Sequence, residues 1–198
     1  MCRLFETIKI INRQAFNLDY HNRRLNQAMF DLFGISEQLK LQDIIKLPLT
    51  LTGRKYKCKV TYSQTIHNIE FRLYKPKTVN TLHIVDNDKI HYPYKFEDRE
   101  IFRTMLAGSD TDDILIVKNG FITDVSFANI IFYDGLKWIT PSTPQLKGTK
   151  RSLLIDSGAI KEAEIRKIDI RFFSKARLIN AMLDPDDTPS ISTRNILY

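Results

Sequence analysis

The residues best placed to do chemistry are Lys95, Asp124, the run Gly148-Thr149-Lys150-Arg151 and, far upstream, Arg24. A lysine amine that is neutral part of the time adds to an aldehyde and forms an imine. A carboxylate beside a heterocyclic nitrogen stabilises the protonated ring. Gly148 ahead of Thr149 and Lys150 would open a helix with unpaired amides, a ready phosphate cradle. A guanidinium such as that of Arg24 grips phosphate oxygens through paired hydrogen bonds. Amine, acid and phosphate cradle are together what a phosphorylated heterocyclic aldehyde needs. Lys95 is one of 30 lysines and arginines, so its weight comes from its company and not from its type. Lys89, the nearest competitor, lies in the polar turn Asp86-Asn87-Asp88-Lys89.

The order of these pieces is distinctive. His21-Asn22-Arg23-Arg24-Leu25 is followed by Lys95-Phe96-Glu97-Asp98-Arg99, then Thr123-Asp124-Val125-Ser126-Phe127-Ala128-Asn129, then Gly148 to Arg151. With Phe5-Glu6-Thr7 near the start and Ile179-Asn180-Ala181-Met182 near the end, the chain resembles class IV aminotransferases. This fold type IV group includes branched-chain and D-amino-acid aminotransferases and aminodeoxychorismate lyase. The resemblance implies pyridoxal 5'-phosphate as cofactor and Lys95 as its Schiff-base lysine. It implies Asp124 as the acid at the pyridine nitrogen, and Arg24 on the phosphate with the amides of Thr149 and Lys150. Asn180 and Ala181 would lie near the phosphate's other side. At the position of Asp124 the family usually carries glutamate, and aspartate is shorter by one methylene, on the order of 1.5 Å. His21 is expected to pack or cap, and Ser126 and Asn129 to shape the pocket by hydrogen bonding.

The resemblance also implies the reaction class. The ending Asn180-Ala181-Met182 looks more like the lyase than the Gly-Thr-Ala ending of branched-chain enzymes, which favours a 4-amino-4-deoxychorismate lyase giving 4-aminobenzoate and pyruvate. An amino-acid aminotransferase of branched-chain or D-amino-acid type is the alternative, and a non-catalytic binding protein on the same fold a minor one. A small anionic substrate and a homodimer are expected.

Hydrophobic periodicity and turn chemistry lay out the supporting elements. Leu4 to Ile11 reads as a strand, with a turn at Asn12-Arg13-Gln14 and a short return strand. Leu25, Ala28, Met29, Leu32 and Phe33 recur at helical spacing within residues 18–33, stopped by Gly34. Residues 38–51 are less decisive, since Pro48 argues against one long helix. Strands are expected over 56–63 and 68–74, a linker at Pro76-Lys77-Thr78, and a strand over 79–85. A helix is expected over 97–106, so Lys95 sits at a junction where it can point into a cleft. Asn119-Gly120 and Asp134-Gly135 signal hairpins with two-residue turns. A short helix should run from Thr149 to Asp156, and Asp169 should cap another. A strand is expected around Leu178 to Met182 and an irregular ending over 184–198. The fold class is therefore α+β, in the D-amino-acid-aminotransferase-like arrangement that the resemblance implies: a compact N-terminal α/β domain (1–77) and a β-rich C-terminal domain (78–198) carrying Lys95.

Composition removes other classes. With 43% hydrophobic and 27% charged residues the chain is ordinary for a globular protein. It has no apolar run approaching the roughly 18 residues of a membrane span and no opening signal peptide, so the cytoplasm is the expected location and no membrane partner is expected. Cys2 and Cys58 are far apart and outside any metal-ligand spacing, and the four histidines form no i, i+4 pair; no metal is expected. Cys58 reads as a buried structural thiol. The net charge of +7 is spread through every element without a nucleic-acid-binding motif, and fits a positive field around a pocket for anions.

Overall fold

The computed structural model describes residues 2–198 and divides them into two units. One holds the chain up to Lys75 together with Tyr94–Asp98; the other holds Pro76–Pro93 and Arg99–Tyr198. The break expected after residue 77 thus falls at Lys75, and the segment carrying Lys95, which the sequence reading put in the second domain, groups with the first unit.

The first unit comprises β1 (Leu4–Ile11), β2 (Gln14–Ala15), α1 (Leu18–Phe33), α2 (Leu41–Ile44), β3 (Lys55–Tyr62) and β4 (Ile66–Leu73). Its strands form an antiparallel sheet in the order β2-β1-β3-β4. Alternation along β1 sends Leu4, Glu6, Ile8 and Ile10 to one face, all fully buried. Leu25, Ala28 and Met29 of α1 join Leu4, Ile8 and Ile10 in one apolar cluster. Each Leu or Ile so buried contributes about 1.5–3 kcal/mol. The helix covers the span its periodicity predicts and stops at Gly34, whose N–H returns to the carbonyls of Met29 and Phe30. Glu6 is the anomaly in this pattern: a carboxylate in a strand face otherwise apolar.

The second unit contains β5 (Leu82–Asp86), α3 (Glu100–Ala107), β6 (Asp113–Lys118), β7 (Phe121–Val125), β8 (Asn129–Tyr133), β9 (Trp138–Pro141), α4 (Thr149–Asp156), β10 (Lys161–Ala163), β11 (Lys175–Ile179), β12 (Ile191–Ser192) and β13 (Ile196–Leu197). A sheet path runs β10-β9-β8-β7-β6-β5-β13, with β11 paired to β8 and β12. The turn between β6 and β7 is the expected two-residue one: Asn119 and Gly120 have φ of 51° and 79°, the positive values that match strand twist. Together the two units make a mixed α+β chain.

Four expectations need correction. The helix begins at Glu100 rather than 97, because the preceding segment is extended and Phe96 bridges Leu4. The loop at Asp134-Gly135 is longer than two residues: Asp134 Oδ1 accepts the amides of Leu136 and Lys137, delaying β9 to Trp138. The late strand lies at Lys175–Ile179 and gives way to a turn at Asn180. The ending is not wholly irregular, since β13 adds to β5 in parallel and buries Ile196. Cys58 is buried as expected, and burial pushes its thiol up to about 12. Among the described residues no helix is long and apolar enough to cross a membrane.

Candidate active site

In the first unit, Lys95 lies on the extended segment beside β1, its carbonyl accepting the amide of Phe5 at 3.0 Å. Its Nζ stands 4.6 Å from the centre of the Phe5 ring, in cation–π range. Lys59 Nζ lies 5.3 Å from the same ring and pairs with Glu97 at 2.7 Å.

On the opposite, helix-covered face of the strand, Glu6 is bound by two residues one helical turn apart. Arg24 donates from Nε to Oε1 at 2.8 Å and from Nη2 to Oε2 at 2.6 Å; His21 Nδ1 lies 2.6 Å from Oε2. The i, i+3 spacing of His21 and Arg24 puts both on one side of α1, which explains why the His-x-x-Arg pattern can close on a single carboxylate. Burial alone would raise the Glu6 carboxyl. The Arg24 charge and the hydrogen bonds from His21 and Arg24 outweigh it and hold the group at about 2. Burial pushes His21 below its ordinary value, against the opposing pull of Glu6. The imidazole is then neutral and donates its Nδ1 proton to Glu6, an assignment made from the bonding partners. The packing role expected for His21 holds; Glu6 was missed as its partner. The signal was available, because a carboxylate at an inward strand position must be paired.

In the second unit, Asp124 on β7 stands opposite Asn129, the first residue of β8. It is buried: Asn129 Nδ2 donates to Oδ1 at 2.7 Å and the Leu146 amide donates to Oδ2 at 3.0 Å. Asn129 Nδ2 also reaches the Leu146 carbonyl at 2.9 Å. Gly148 makes this bracing possible, since a Cβ there would lie 2.0 Å from Asn129 Oδ1. Burial raises the Asp124 carboxyl to about 6, although the bonds from Leu146 and Asn129 and the charge of Arg151 pull it back.

The start of α4 follows directly. Gly148 caps it without a side-chain hydrogen bond, and Thr149, Lys150 and Arg151 are all buried. The Lys150 ammonium pairs with Asp184, so any phosphate role there falls to the backbone amide. Arg151 binds Glu162 and the Pro141 carbonyl, while its buried Nε has no hydrogen-bond partner among the described residues. Asn180 closes the turn after β11, its Oδ1 accepting the amides of Met182 at 2.8 Å and Leu183 at 3.1 Å; Ala181 sits half-buried within it. Asp184 was not singled out in the sequence, and Arg151 was named only as part of the 148–151 run, without its anchoring partner. Their partners lie 34 and 11 residues away along the chain, which spacing alone cannot show.

The chemistry of these donors fits a protonated heterocycle carrying a phosphate. Asp124 is a buried acid braced by neutral donors and short of cationic partners, a place where a ring N–H⁺ is stabilising. The α4 start offers amides of the kind that bind phosphate. Residues 3–184 match the family described as amino-transferase class IV, and the chain belongs to that family. It is 36% identical over 185 residues to an uncharacterized protein of Haemophilus influenzae, covering 92% of this chain and 98% of that one. It is similar to a crystal structure from Haemophilus somnus, provisionally named a 4-amino-4-deoxychorismate lyase, at 32% identity and a TM-score of 0.85 over 92% of this chain and 97% of that one. A fold IV transaminase of Curtobacterium pusillum shares the fold at 16% identity and a TM-score of 0.74, covering 99% of this chain and 79% of that one. The protein is accordingly a class IV enzyme dependent on pyridoxal 5'-phosphate.

Proposed function

We propose that this enzyme is a 4-amino-4-deoxychorismate lyase, which releases pyruvate and leaves 4-aminobenzoate for folate synthesis in the cytoplasm. The observation that carries the choice within the class is the Asn180-to-Leu183 turn, held shut by the Asn180 side chain, in a chain similar to the Haemophilus somnus protein of that provisional name.

In this reading Lys95 would be the residue that holds the cofactor through its amine. Arg24 and the amides of Thr149 and Lys150 hold the phosphate, with Asn180 and Ala181 at its other side. Asp124 keeps the ring nitrogen protonated, either directly or through a bridging water. The bound cofactor supplies an electron sink for the bond-breaking steps. Lys95 would also act as the base that removes the ring proton beside the substrate nitrogen. The carbon–oxygen bond to the enolpyruvyl group then breaks, the ring becomes aromatic, and the departing group takes up a proton as pyruvate. Braced by Asn129 and Leu146, the Asp124 carboxylate stays oriented while charge moves.

The test is incubation of the cofactor-loaded protein with aminodeoxychorismate, following 4-aminobenzoate, and in parallel with amino donors and 2-oxoglutarate, following glutamate. The lyase reading predicts the aromatic product. Glutamate alone would establish a branched-chain or D-amino-acid type aminotransferase instead. We also propose a two-fold homodimer. Light-scattering mass should be twice that of the chain, and a fully active monomer would refute it.

A further inference from the structure

The geometry points to Glu6 as the positioning residue for Arg24, fixing the plane in which its guanidinium meets a phosphate monoester. The inference rests on the proposed phosphate role of Arg24. Glu6 has no exposed surface and uses both oxygens, so it is not a solvent-facing ion pair. It takes the Nε–Nη2 edge in a fork, the arrangement that fixes direction as well as distance. His21, fully buried, binds the same carboxylate and prevents it from rotating about its own axis. Arg24 keeps 15% of its side chain exposed, so a buried anchor holds a cation that reaches the surface.

Ionised Glu6, cationic Arg24 and neutral His21 sum to zero. What Arg24 offers a phosphate is therefore directed N–H donors more than net positive charge. Since Glu6 titrates only near pH 2 and His21 is pushed down, this charge state persists through neutral pH.

The experiment compares dissociation constants for pyridoxal phosphate and for pyridoxal, which lacks the phosphate, in the native protein, Glu6→Gln and Arg24→Lys. Glutamine cannot accept the whole fork, and lysine keeps the charge without the plane. Both variants should lose about tenfold or more of the preference for the phosphorylated compound, the scale of one charge-assisted hydrogen bond, with pyridoxal affinity held within about twofold of native. If Glu6→Gln does not fold, Glu6→Asp, which keeps the charge but shortens the reach of the fork, decides the matter. An undiminished preference in a folded variant, or equal loss of both ligands, would overturn the positioning role. A native protein with no preference for the phosphorylated compound would overturn the phosphate role of Arg24 itself, a distinguishable outcome.

Discussion

Glu6 and Asp124 are both buried strand carboxylates, yet they titrate on opposite sides of the ordinary carboxylate range. Glu6 moves down from 4.5 to about 2, and Asp124 moves up from 3.8 to about 6. Burial acts alike on both by disfavouring the charge. The difference lies in the company. Glu6 has a guanidinium in a two-bond fork, whereas Asp124 has an amide side chain and backbone N–H groups, with Arg151 acting only through its charge. One acid has its cation built into the chain. The other is oriented but short of positive charge, which suits the role proposed for it beside a protonated heterocycle.

The largest expected effect comes from removing Asp124, the acid proposed for the ring nitrogen. Asp124→Asn should lower kcat by about 100-fold or more, the scale seen when one preorganised electrostatic partner is lost. A variant within threefold of native activity would break the assignment.

The two acids should also leave opposite marks on stability. A raised folded-state value makes the cofactor-free protein lose stability as pH rises from about 4 to about 6, by about 3 kcal/mol from Asp124. The depressed value of Glu6 gives stability that is complete above about 4.5 and lost as pH falls toward 2. Urea melts of native and Asp124→Asn protein across pH 4 to 7 check this: the downward slope should shrink in the variant, and an unchanged slope would contradict the account. Glu6→Leu should destabilise the fold by about 3 kcal/mol, because Arg24 and His21 lose their common acceptor. A loss below about 1 kcal/mol in thermal or urea melts would show the fork to be dispensable.

Gly148→Ala acts at one remove. Its Cβ would meet Asn129 Oδ1 at 2.0 Å, so the brace on Asp124 must shift. A loss of about 1–3 kcal/mol is expected from overpacking, with cofactor absorbance altered as well; an unchanged spectrum would separate Gly148 from the acid. The smallest effect belongs to an ion pair on the surface. Arg72→Ala, next to Glu70 with 68% of the arginine side chain exposed, should change stability by less than about 0.5 kcal/mol.

Most of the scaffold could be read from local pattern. The α1 periodicity, the Asn119-Gly120 turn and the strand at Leu4–Ile11 are short-range signals, and each appears in the fold. The misplaced start of α3 has a long-range cause: residues 95–97 pair with residues 3–5, and that pairing overrides the apolar stripe that follows. The C-terminal strand escaped for the same reason, as two residues of β13 carry too little pattern to announce a partner more than a hundred positions earlier. At the site, residue types were legible and their partners were not. Asp124 could be singled out as an acid, but its brace by Asn129 depends on a backbone approach at Gly148 that no spacing encodes.

The most direct test is borohydride reduction of the cofactor-loaded protein followed by peptide mass mapping. A single pyridoxyl label, on the Lys95 side chain, is expected. A label on any other lysine, or none, would contradict it.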